Sequence, residues 1–117
     1  MNEKPVMALV GFVRSIAVLA LPADGQIRWL NSLGLPGGAA IADELAQEFG
    51  DGCLLLAQFV EHGWISERLA KKLRGLDTLL GVMSGPEKAE IWEVSALESA
   101  AEWIEVRKRA LEILVDL

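Results

Sequence analysis

Sixteen consecutive residues near the start of the chain, Val6 to Leu21, are apolar at every position except Gly11, Arg14 and Ser15. A stretch this apolar must be buried in protein or in lipid. Lipid is excluded by length and charge: a spanning helix needs about 20 residues, and Arg14 near the centre would cost roughly 2.5 to 3.5 kcal/mol. Secretion is not expected either, because Met1-Asn2-Glu3-Lys4 lacks the basic start of a signal peptide. The stretch is therefore expected to be a core element. As a helix it places Gly11, Arg14, Ser15 and Val18 on a narrow polar stripe of an otherwise buried cylinder. Its Val and Ile content leaves a strand open.

The whole chain has 117 residues, enough for one domain and too few for a second core. With 52% hydrophobic residues, 24% charged and only four Pro, it can bury enough apolar surface to offset the entropy of ordering. The net charge is −6, which disfavours general attraction to nucleic acid or an anionic membrane and favours a basic partner. One cysteine, Cys53, can form no internal disulfide and supports no Cys-based zinc site, so a cytoplasmic protein is expected.

Glycine supplies most of the punctuation beyond Leu21, and the segments between have helical periodicity. Asp24 is placed to cap a short helix with Ile27, Leu30 and Leu33 inward, ended by Gly34 in the left-handed position. Leu35-Pro36-Gly37-Gly38 reads as a loop. Ala39 to Phe49 follows, with Ile41, Ala42, Leu45, Ala46 and Phe49 on one face, stopped at Gly50. Asp51 is placed to cap the next piece, where Leu55, Leu56, Phe59 and Val60 face inward and Gly63 ends it. Such short helices are marginal alone and depend on tertiary packing.

Ser66 starts a longer helix through Leu69, Leu73, Leu76, Leu79, Leu80 and Met83, with a bend or a close approach expected at Gly75 and Gly81. Ser95 and Glu98 have the spacing of a capping box, so the last helix is expected from Ser95 to about Val115. Its inward stripe reads as Leu97, Ala100, Ala101, Ile104, Leu111 and Leu114, with Glu105 and Arg109 as a favourable pair. The connector Glu87 to Val94 fits one helical turn or an extended strand of chain. The expected architecture is all-α, a single compact bundle of five or six helices over residues 1–117.

No motif marks an enzyme. The chain has no Tyr and one His. Gly34 to Gly38 lacks the Lys and Ser/Thr of a phosphate loop, His62 has no second His for a metal site, and Ser84 lacks the flanks of a nucleophile elbow. His62 reads as a helix-terminal residue and Cys53 as a small apolar one. No catalytic residue, metal or cofactor is expected.

Charge is distributed unevenly instead. Trp29 to Glu67 contains six acids (Asp43, Glu44, Glu48, Asp51, Glu61, Glu67) and no Lys or Arg, and Gly75 to Val106 contains seven (Asp77, Glu87, Glu90, Glu93, Glu98, Glu102, Glu105) against Lys88. Basic islands lie at Arg68-Lys71-Lys72-Arg74 and Arg107-Lys108-Arg109. Glu98 and Glu102, four apart on one expected helix, would repel in the free protein, and a cationic partner would relieve this. The ordinary explanation is a solvated, solubilising face. Four Trp weigh towards an interface, since Trp is enriched where partners bind; Trp92, between Glu90 and Glu93, is the one expected to be exposed. A rival reading takes residues 54–74 as a helix-turn-helix, with Arg68, Lys71 and Lys72 near DNA phosphates.

Ala42-Asp43-Glu44-Leu45-Ala46-Gln47-Glu48-Phe49, Gly63-Trp64-Ile65-Ser66, Leu76-Asp77-Thr78-Leu79-Leu80 running into Met83-Ser84-Gly85, Ile91-Trp92, Ala96-Leu97, Glu102-Trp103 and Val106-Arg107 together resemble small bacterial immunity proteins of contact-dependent growth inhibition and polymorphic toxin systems. The resemblance runs from about Trp29 to the C-terminus and departs at Gln47 and Gly50, where an acid would be expected. It implies a protein that binds the basic C-terminal domain of a cognate toxin, often a nuclease, and neutralises it without catalysis. The residues expected to meet that partner are Asp43, Glu44, Glu48 and Asp51 as one patch and Glu90, Glu93, Glu98 and Glu102 as another, with Trp92 as anchor. Neither nucleic acid nor membrane is a partner in this reading.

Overall fold

The computed structural model describes residues 4–34 and 42–117, and the loop expected over Leu35 to Gly38 and the helix start at Ala39 lie outside the described residues. Among the described residues every regular element is helical: α1 (Lys4–Ala20), α2 (Ala23–Ser32), α3 (Asp43–Cys53), α4 (Leu56–Glu61), α5 (Glu67–Val82), a 3-10 segment (Pro86–Trp92), α6 (Ala96–Ser99) and α7 (Ala101–Asp116). The chain is all-α, with eight helical segments among the described residues rather than five or six.

Four of these helices form a ring. α1 packs against α3 and α7, and α5 packs against the same two from the opposite corner. Neighbours run antiparallel. Arg14 reaches Glu48 while Phe12 meets Phe49 and Gly52, so α3 descends alongside the ascending α1. Lys72, early in α5, bonds Asp116 at the end of α7, and Arg107, in the first half of α7, reaches Gln26 beside the C-terminus of α1. The result is an up-down-up-down four-helix bundle. α2, the 3-10 segment and α6 close one end, and α4 with the turn into α5 lies at the other.

The core explains α1. Phe12, Ile16 and Leu19 are buried in a single cluster with Phe49, Phe59, Leu73, Leu76, Trp103 and Val106. Phe12 stacks on Phe49 with centroids 5.4 Å apart and lies 5.7 Å from Phe59. The expected polar stripe is not the exposed one. Ser15 and Val18 are buried, the Ser15 hydroxyl donating to the Phe12 carbonyl at 2.6 Å, whereas Val6, Met7 and Val10 are exposed with Arg14.

Several boundaries differ from those expected. Pro22, not Asp24, stands at the N-cap of α2; Asp24 sits in the first turn and pairs with Arg28. α3 does not stop at Gly50 but runs to Cys53, so Asp51 is inside a helix rather than capping one. Gly52 has a packing role: a Cβ there would strike the Phe12 ring. Ser66 caps α5 as expected, accepting from the Leu69 amide at 3.1 Å. Neither Gly75 nor Gly81 is closely approached, and α5 passes through both without interruption.

The Ser95–Glu98 capping box does not form. Ser95 makes no side-chain cap bond, and the chain leaves helical geometry at Ala100 (φ −76°, ψ 130°), which separates α6 from α7. The inward residues of α7 are Trp103, Val106, Ala110 and Ile113, with Leu114 half-buried; Ala101, Ile104 and Leu111 face out. Glu105 and Arg109 do pair, at 2.9 Å.

Candidate functional site

Parts of the two acidic stretches meet at one end of the bundle through a single junction. The Ala42 amide donates to the Trp92 carbonyl at 3.0 Å, which fastens the 3-10 segment to the start of α3. Two indoles hold the segment from behind. Trp92 Nε1 donates to the Met83 carbonyl at 2.9 Å, Trp103 Nε1 donates to the Ile91 carbonyl at 2.7 Å, and the rings meet edge to face at 5.2 Å. Trp92 is therefore half-buried and structural on its indole side, not the exposed tryptophan expected. Trp64 is more open, 38% exposed and stacked on His62 at 4.3 Å.

Around this junction Asp43, Trp92 and Glu93 line an open concavity of about 380 Å³ with Ser84, Gly85 and Ala89. Asp43 and Glu44 occupy the first turn of α3, where the positive end of the helix dipole favours them. Glu87 and Glu90 lie on the 3-10 segment, Glu98 on α6 and Glu102 in the first turn of α7. Among the described residues none of these carboxylates is in an ion pair. The opposing cations are few. Lys88 is tied to the Val82 carbonyl at 3.1 Å, Arg28 is paired with Asp24, and Arg107 is half-buried. Most of the net charge of −6 is thus gathered at this end.

The expected patch on α3 is divided. Asp43 and Glu44 join Glu90, Glu93, Glu98 and Glu102 at the capped end, whereas Glu48 is neutralised by Arg14 at 2.9 Å. Asp51 lies two turns farther down α3, roughly 12 Å from Asp43 along the helix axis, beside a different recess formed with Met7, Gly11 and Arg14. Glu98 and Glu102 do not share a helix face, because the break at Ala100 intervenes. Glu87, part of the second acidic run but not of the expected patch, lies on the same 3-10 segment as Glu90. Among the described residues no three His, Cys, Asp or Glu side chains converge closely enough to hold a metal ion. The carboxylates form a broad field rather than a chelating cup.

A polar link that the sequence gave no sign of braces the same end. The fully buried Gln26 donates from Nε2 to the Val18 and Leu19 carbonyls at 3.3 and 3.0 Å, satisfying the last turn of α1. Arg107 completes it, donating to Gln26 Oε1 at 3.3 Å and to the Leu97 carbonyl at 2.8 Å. Burial lowers the Arg107 pKa from its ordinary value. Arg107 therefore serves inside the fold and does not add to the surface island of Lys108 and Arg109.

No family model, no curated protein and no solved structure matches this chain.

The remaining chemistry-bearing residues lie away from the capped end. The helix pair of the rival reading is present as α4 and α5, joined through Gly63 at φ +76°. Arg68, Lys71 and Arg74 are exposed on α5, while Lys72 is bonded to Asp116 at 3.0 Å. Cys53 is half-buried, and burial, reinforced by Asp77, pushes its thiol up to about 12 despite Arg74. It stays protonated and unreactive at neutral pH. His62 ends α4, as its place in the sequence suggested. No helix among the described residues is long and apolar enough to cross a membrane.

Proposed function

We propose that this chain is an immunity protein that neutralises a cognate toxin domain by covering or crowding its cationic, nucleic-acid-binding surface with the anionic end of the bundle. The observation that carries the reading is that Asp43 and Glu93 flank the Ala42–Trp92 junction, with Glu44, Glu87, Glu90, Glu98 and Glu102 on the elements of the same end, none in an ion pair among the described residues. Unpaired carboxylates at one end repel one another in the free protein, and a cationic partner converts that repulsion into attraction. Such a field also accelerates encounter well above the neutral range of about 10⁵ to 10⁶ M⁻¹s⁻¹. The family resemblance in the sequence supplies the class of partner, a basic toxin domain encoded alongside, and the cytoplasm is where that partner would act.

The test is co-purification with the neighbouring toxin domain at low and high salt, coupled to rescue of toxin-expressing cells. Asp43→Lys with Glu44→Lys, and separately Glu90→Lys with Glu93→Lys, should each slow association at least 10-fold and abolish rescue. Unchanged binding and rescue in both would end the proposal. Loss of function on Arg68→Ala with Lys71→Ala alone, together with retention of an operator DNA, would favour the helix-turn-helix reading instead.

A further inference from the structure

We draw no further inference here: the strongest candidate, the open concavity at the capped end where Asp43, Trp92 and Glu93 meet Ser84 and Gly85, belongs to the site already described and, among the described residues, holds no buried unpartnered polar group that would point to a particular ligand.

Discussion

The lower bundle and the capped end are held together by different means. Between α1, α3 and α4 the contact is aromatic and close: Phe12 fits between Phe49 and Phe59 over a helix made smooth by Gly52. At the capped end, α2, the 3-10 segment and α6 are short; each buries only a few side chains, Leu30 and Leu97 among them, and individual hydrogen bonds from Trp92, Trp103, Gln26 and Arg107 fix them as well. Apolar packing is close and is not screened by salt as charges are, so it suits a scaffold. Directed hydrogen bonds allow a polar, charge-rich surface to be held in one arrangement, since each short segment needs its carbonyls satisfied whatever its outer residues are. The acids can accumulate there because the fold does not depend on their packing.

That contrast makes ordered predictions. Phe12→Ala should be the most damaging, costing about 3 to 5 kcal/mol because the two flanking rings cannot close the cavity; urea unfolding followed by circular dichroism measures it. Arg107→Ala should cost about 1 to 3 kcal/mol by leaving Gln26 Oε1 and the Leu97 carbonyl without their partner, with hydrogen exchange rising first in α6 and at the end of α1. Trp92→Phe, which keeps the ring but removes the bond to Met83, should cost about 1 kcal/mol and show the same localisation. Asp43→Lys with Glu44→Lys should cost only about 0.3 to 1 kcal/mol per residue, through the α3 dipole. A larger loss there would mean that the acids are part of the scaffold after all.

A separate effect is confined to alkaline pH. The Cys53 thiol titrates near 9 when unfolded and is pushed up to about 12 in the fold. A raised pKa means that the folded state holds its proton more tightly, so its contribution is complete below pH 9 and falls away as pH rises from 9 towards 12. Stability measured across that window should decline less steeply in Cys53→Ser than in the parent. Alkylation of Cys53 at pH 8 should be slow until denaturant is added.

The parts legible in the sequence were those governed by local rules. Ser66, the leucine spacing and Gly63 marked α5 and the turn before it, and Gly34 stands after α2 at φ +65°. Gly50 misled because it resembles a helix stop, yet α3 runs through it to Cys53, and only the position of Phe12 on another helix reveals that a small residue is required at Gly52. α7 misled for a different reason. It carries two apolar faces with the same period, one of Trp103, Val106, Ala110 and Ile113 and one of Ile104, Leu111 and Val115. Periodicity alone cannot choose between them; packing of the Trp103 ring against Trp92 does. The acids of the capped end were visible as charge runs, but their union depended on the bond from Ala42 to Trp92, across fifty positions of chain.

The lopsided placement of charge has a mechanical consequence. The molecule is 41 Å long and about 27 Å across, and outside the anionic end its acids and bases nearly balance. In the electric field of an approaching basic body the chain experiences a torque that swings the end bearing Glu90 and Glu93 forward before any surface touches. Collisions would then begin head first, and fewer of them would be wasted on orientations that must be abandoned and tried again.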